Sequence, residues 1–100
     1  MTERVGQLPS ISLDCPDTDV LAEFYCALLG LDEAFATPDR GVVALSGAGP
    51  MLTLMRVRDY TPPSWPDGPQ RQQMHLDIAV GNVDSAADTA VRLGAKPADH

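Results

Sequence analysis

Basic residues, cysteines and long apolar runs are all scarce in this sequence. Seven lysines and arginines are outnumbered by fourteen acidic residues, which gives a formal net charge of −7. Proteins that bind nucleic acids carry basic patches for the phosphates, so the composition argues against that function. No apolar run reaches the roughly 18 residues that span a membrane, and the first residues lack the apolar core of a signal peptide. The composition therefore predicts a soluble cytoplasmic protein without a membrane segment.

Cysteine chemistry is limited by the same scarcity. Cys15 and Cys26 are the only cysteines, and they form no CxxC motif. A zinc site built from thiolates is therefore not expected, and no activating base is evident beside either thiol. Both are predicted to be reduced, partly buried thiols.

The chain length sets the scale of the fold. One hundred residues correspond to a single small domain. At this size folding buries only about two thirds of the surface that the unfolded chain exposes. A homodimer is therefore an expected form of the protein.

The first part of the chain, residues 8–58, predicts an α+β module in the order strand, helix, strand, strand, strand. Alternating apolar residues indicate a strand that starts after Pro9. Asp17 or Thr18 can cap a following helix, and Gly30 suits its C-cap. The helix is expected to pack on a sheet through one apolar stripe, which comprises Val20, Leu21, Phe24, Leu28 and Leu29.

A proline-rich connector follows at residues 59–71. Its prolines fix φ and exclude a helix or a central strand, which is typical of a stiff linker. Tyr60 and Trp65 lie in this connector. The alternative interpretation is a lid that folds these two aromatic rings over a bound ligand.

The stretch Gln72–Val80 carries the most suggestive side chains. Met74, Leu76, Ile78 and Val80 alternate with His75 and Asp77. In a strand this alternation gives one apolar face and one face with an imidazole and a carboxylate. The stretch therefore predicts a strand with a candidate site, followed by a helix over about residues 84–93.

A weak internal repeat relates the two parts of the chain. Ser12–Asp14 resembles His75–Asp77, and Leu29–Gly30 resembles Leu93–Gly94, at nearly the same offset. Residues 72–100 then form an incomplete second copy of the module, in which a strand and a helix are not followed by further strands. Such a half copy is expected to leave a sheet edge and apolar surface exposed.

These features resemble the vicinal-oxygen-chelate superfamily, which includes glyoxalase I, the bleomycin-resistance proteins and the extradiol dioxygenases, and in particular the glyoxalase-like domains of bacteria. The resemblance runs from about Pro9 to the end of the chain and is carried by five segments, Ala22–Tyr25, Leu28–Leu31, Tyr60–Asp67, Gln73–Asp77 and Leu93–Ala95. It implies two βαβββ modules that cup a pocket. By this comparison the last three strands are missing, so that the chain is a fragment or is completed by a partner chain.

The resemblance also implies a metal site that this sequence only partly matches. Enzymes of the superfamily bind a divalent metal, such as Zn, Fe, Mn or Ni, through His, Glu or Gln on four strands. His75 falls on the fifth-strand position. The first-strand position falls on Ser10 or Ser12, and the fourth-strand position lies within Leu52–Leu54, where no carboxylate is present. We therefore expect no cofactor, with a metal at His75 as the open alternative.

Three functions remain open at this point. The first is a metal-free domain that binds an apolar or aromatic small molecule. The second is a metal-dependent lyase or dioxygenase acting on vicinal oxygens, and the third is an assembly module completed by a partner chain. The predicted ligand contacts are His75, Asp77, Arg56, Trp65 and Tyr60.

Overall fold

The computed structural model describes residues 4–64, 68–70 and 74–98. The chain divides into two compact units, Met1–Tyr60 and Thr61–His100. The division falls within the predicted connector. Among the described residues no helix is long and apolar enough to cross a membrane.

The first unit has the predicted βαβββ order, and the α+β class is confirmed. The elements are β1 (Ser10–Cys15), α1 (Thr18–Leu29), β2 (Asp32–Ala36), β3 (Val42–Ser46) and β4 (Met51–Arg56). The four strands form one sheet in the order β1-β4-β3-β2. β1 pairs with β4 in parallel, whereas the β3–β4 and β2–β3 pairs are antiparallel.

Local capping chemistry fixes the bounds of α1. The Asp17 carboxylate accepts hydrogen bonds from the backbone N–H groups of Asp19 and Val20, at 3.0 and 3.2 Å. These bonds satisfy donors that the first helical turn leaves free. At the other end Gly30 has φ 64°, a left-handed conformation that glycine adopts without a Cβ penalty. Both predicted caps are confirmed.

The hydrophobic core lies between α1 and the two central strands. Val43, Leu45 and Leu54 have no exposed surface, and Leu52 is 7% exposed. The register pairs Leu54 with Leu13 on one side and with Val43 on the other. This row of apolar side chains accounts for most of the burial in the first unit.

The predicted helix stripe is wrong at one position. Val20 is 65% exposed, whereas Thr18 and Ala22 are the buried residues of α1. Small side chains on this face let the helix approach the sheet closely. The buried Thr18 hydroxyl is satisfied because it donates a hydrogen bond to the carbonyl oxygen of Arg40.

An arginine in the β2–β3 turn links three segments of the first unit. Arg40 has φ 57°. Its guanidinium donates to both carboxylate oxygens of Glu33, at 2.7 and 3.2 Å, and to Asp19 at 2.6 Å. The hydrogen bond from Arg40 lowers the pKa of Glu33. Because a bidentate pair has fixed geometry, this network holds the start of α1 against β2 and the turn.

The predicted strand in the second unit differs from the structure. Its described part, Met74–Val80, is not assigned to a strand, while Gln72 and Gln73 lie outside the described residues. Met74 is 71%, Val80 46% and Ile78 41% exposed. A strand needs a neighbour for its backbone hydrogen bonds, and the sheet of the described residues contains β1 to β4 alone.

The second helix, α2 (Val83–Arg92), lies close to its predicted position. The Asn82 side chain caps it by accepting a hydrogen bond from the N–H of Ser85, at 2.9 Å. Its apolar residues remain largely open, since Val83 is 73% and Val91 48% exposed.

Candidate functional site

The sheet of the first unit has one face against α1 and one face without a helix, which we call the open face. Among described residues 4–60, α1 is the one helix. Side chains alternate along each strand, so the partners of the buried leucines define the α1 side. The open face is formed by the alternate residues Ser10, Ser12, Asp14, Asp32, Phe35, Val42, Ala44, Ser46, Met51, Thr53 and Met55.

A pair of hydroxyl groups lies on this face between the two parallel strands. The Ser10 Oγ and Thr53 Oγ1 atoms are 2.5 Å apart and share a hydrogen bond. The pairing follows from the parallel register, in which Ser10 lies opposite Met51 and Ser12 opposite Thr53. The paired hydroxyls can exchange their mutual bond for bonds to a ligand, since each can donate and accept.

Apolar side chains surround the hydroxyl pair. Thr53 on β4 lies opposite Ala44 on β3, and Ala44 in turn lies opposite Phe35 on β2. Phe35 is 57% and Met55 38% exposed, whereas Ala44 is 6% exposed. Phe35 and Met55 therefore give the open face exposed apolar surface, which suits contact with an apolar or aromatic ligand.

His75 and Asp77 contact each other in the second unit. The His75 Nε2 and Asp77 Oδ1 atoms are 3.2 Å apart, and both side chains are largely exposed. The carboxylate of Asp77 therefore has the His75 imidazole as its neighbour.

Arg56 is held at the turn before β3. Its Nη2 atom lies 3.4 Å from the Asp39 carboxylate, and its Nη1 atom donates to the Asp39 carbonyl oxygen at 3.3 Å. Arg56 follows Leu52 and Leu54 at intervals of two residues along β4, so its side chain lies with theirs on the α1 side of the sheet. A ligand carboxylate that binds Arg56 would therefore share its guanidinium with Asp39.

The two aromatic residues of the connector are Tyr60 and Trp65. Tyr60 is half-buried, whereas Trp65 lies outside the described residues. Burial, and next the neighbouring Tyr60, raises the pKa of Tyr25. Tyr25 also packs edge-to-face on Phe24, with ring centroids 5.1 Å apart. Tyr60 therefore ends the first unit beside an aromatic pair on α1.

The cysteines are free thiols, as predicted. Burial raises the pKa of both Cys15 and Cys26. Cys15 is 3% exposed, and its Sγ contacts the carbonyl oxygen of Met55 at 3.7 Å. A raised pKa and burial keep a thiol protonated and unreactive, so Cys15 acts as a core residue.

The side chains on β1 and β4 at the implied metal positions do not fit a divalent metal. Ser10 and Thr53 present neutral hydroxyls that bond to each other, whereas such metals prefer carboxylate, imidazole or thiolate ligands. Among described residues 4–64, 68–70 and 74–98, no three His, Cys, Asp or Glu side chains are grouped to hold a metal ion. We therefore derive no chemical step through a metal.

Sequence reasoning did not foresee that Thr53 would join the site. The first-strand position stayed open between Ser10 and Ser12, and for the fourth-strand position the sequence showed only that Leu52–Leu54 has no carboxylate. The signal that could have found Thr53 is the shared alternation of Met51, Thr53 and Met55, combined with parallel pairing to β1.

A family model described as a glyoxalase-like domain matches residues 10–100. The chain belongs to the glyoxalase-like domain family. This confirms the resemblance drawn from the helix and connector motifs, and it covers both units of the chain. No curated protein matches the sequence.

Two solved structures share the fold of this glyoxalase-like domain. An integron cassette protein from the mobile metagenome of V. cholerae, VCH_CASS1, is 15% identical, with a TM-score of 0.50 over 94% of this chain and 72% of that one. Lactoylglutathione lyase from Agrobacterium tumefaciens is 17% identical, with a TM-score of 0.53 over 92% of this chain and 69% of that one. At such identities the likeness concerns the fold alone.

Proposed function

We propose that this glyoxalase-like domain binds an apolar or aromatic small molecule on its open face without a resident metal. The observation that carries the proposal is the Ser10–Thr53 hydroxyl pair. By the resemblance, a metal ligand would be expected at Ser10 or Ser12 and within Leu52–Leu54. Hydroxyls there can orient a ligand by hydrogen bonds. The apolar surface of Phe35 and Met55 beside them supplies the contact area.

The five ligand contacts predicted from the sequence could add to this binding surface. His75 and Asp77 are exposed and can donate or accept hydrogen bonds. Tyr60 and Trp65 can each add an aromatic surface at low entropic cost. Arg56 keeps guanidinium donors beyond the two that contact Asp39, and a ligand could bind them.

Metal analysis and binding in the presence of a chelator test the proposal together. Purified protein should hold substoichiometric divalent metal by mass spectrometry. After EDTA treatment, a neutral aromatic probe such as 1-naphthalenemethanol should still bind, and added Zn²⁺ or Ni²⁺ should leave its affinity unchanged. Thr53→Val keeps the side-chain shape and should weaken binding of the probe severalfold, because it removes one hydroxyl partner.

The same measurements distinguish the proposed metal-free domain from a metal-dependent lyase or dioxygenase. One similar fold is that of a protein named lactoylglutathione lyase, which keeps this alternative in view. Stoichiometric metal that is lost in a His75→Ala variant, or probe binding that requires the metal, would contradict the metal-free proposal.

An assembly role is a second candidate, because the second unit exposes many apolar side chains. Those at least 41% exposed in the described part are Met74, Ile78, Val80, Val83 and Val91. Monomers rarely expose large contiguous apolar patches. A second copy of the chain is the simplest cover for these residues, in keeping with the expected homodimer.

Solution mass tests this second candidate. Sedimentation velocity over a micromolar concentration series should show a dimer that Val83→Asp weakens. Val20→Asp is the matched control, since Val20 is an equally exposed valine near the start of the other helix, 65% against 73%. A monomer throughout the series, or equal effects of the two variants, would count against assembly through α2.

A further inference from the structure

The charges on the open face have one sign. The acidic residues on this face are Asp14 on β1 and Asp32 on β2, and no open-face position of the four strands is basic. Two arginines of the first unit, Arg40 and Arg56, are paired with carboxylates at the helix side and the turn. The open-face positions of the four strands therefore carry two carboxylates and no basic residue.

Asp14 lies where a ligand charge could meet apolar surface. In the register it is opposite Met55, and Met55 is opposite Val42. Asp14 is exposed, and among the described residues it has no ion-pair partner. Met55 is 38% exposed, and its flexible thioether can adapt to an apolar or aromatic group. A carboxylate next to this methionine suits a ligand with a charged end and an apolar body.

Asp32 lies too far away to share the same ligand charge. It is on the other edge strand, three strand spacings from β1, which corresponds to about 14 Å. Both edges of the face thus repel an anion, while only one carboxylate adjoins the exposed Met55. The charge distribution discriminates ligands by sign, whereas the hydroxyl pair and the apolar residues do not.

We propose that the ligand of the open face is an organic cation with an apolar or aromatic body, and that Asp14 is its counter-charge. This rests on the proposed function, because it assigns the ligand class of the same face. A protonated amine would lie at the end of β1 near Asp14. Its apolar body would extend over Met55 and Val42 toward the Ser10–Thr53 pair.

Three probes that share one ring and differ in charge test the ligand class. They are 1-naphthylmethylammonium, 1-naphthalenemethanol and 1-naphthoate, each titrated into the full chain and followed by methyl NMR. A charge pair about 5 Å apart in water favours the cation over the alcohol by about fourfold, and the anion should bind more weakly than either. The preference should shrink as the salt concentration is raised, since salt screens exposed charges.

Charge-matched variants assign the preference to one residue. Asp14→Asn should abolish the cation preference and leave the affinity for the alcohol unchanged, and Asp14→Glu should restore part of it. Glu23→Gln is the control, because Glu23 is exposed on α1 and its loss also removes one negative charge. Urea midpoints of all the variants verify that each one folds.

The outcomes separate this inference from the proposed function. If all three probes bind the open face equally, or if Asp14→Asn leaves the cation preference intact, the cation inference is overturned while the binding function stands. If no probe perturbs the open face, both are overturned. A preference that only Asp14→Asn removes supports the assignment.

Discussion

Truncating Leu54 should destabilise the first unit more than a matched change at its surface. Leu54 has no exposed surface and lies in the register between Leu13 and Val43. Conversion to alanine removes the equivalent of three buried carbons, worth about 2.4 kcal/mol at about 0.8 kcal/mol each. The remaining cavity adds to this, so we expect a loss of about 3 kcal/mol.

Urea unfolding followed by far-ultraviolet circular dichroism measures this loss. A change of this size should lower the midpoint at constant slope and reduce the melting temperature by about 12–24 °C. Leu8→Ala is the control, since Leu8 is 65% exposed just before β1, and it should cost below about 0.5 kcal/mol. A loss below about 1 kcal/mol for Leu54→Ala, or equal losses in the two variants, would refute the position of the core.

Three smaller predictions follow from capping, pairing and burial. Gly30→Ala should cost about 1 kcal/mol in urea unfolding, because φ 64° strains any residue with a Cβ; an unchanged midpoint would contradict the left-handed cap. The lowered pKa of Glu33 beside Arg40 means that their pair stabilises the fold fully above the ordinary glutamate pKa, and that this stabilisation is lost as the pH falls through the lowered pKa of the folded state. Glu33→Gln should therefore lower the urea midpoint at pH 7, and the difference should shrink as the pH falls below the ordinary glutamate pKa; a pH-independent difference would argue against the pair. Iodoacetamide should alkylate Cys26 faster than Cys15 in the native protein, because Cys15 is buried, and equal native rates would contradict that burial.

The sequence predicts those elements of this fold whose causes are local. Asp17 and Gly30 bound α1 through contacts within a few residues, and the alternation of β1 and β4 is visible without a partner. The rotation of α1 is different in kind. It depends on how closely the helix approaches the sheet, so the buried Thr18 and the exposed Val20 become evident only with the tertiary structure.

The site was predicted less completely because it depends on long-range register. Ser10 and Thr53 are 43 residues apart, and only the parallel pairing of their strands brings their hydroxyls together. The stretch Met74–Val80 shows the converse. Its alternation is clear, yet alternation specifies a strand only when a neighbouring strand supplies hydrogen bonds.

Methyl NMR with a bound aromatic probe tests the central claim most directly. In metal-free protein, 1-naphthalenemethanol should give intermolecular nuclear Overhauser effects to the methyl groups of Thr53 and Met55 on the open face. The methyl groups of Val43 and Leu54 alternate toward α1 and have no exposed surface, so they should give none. Contacts confined to other parts of the chain, or contacts that arise only after a divalent metal is added, would contradict metal-free binding on the open face.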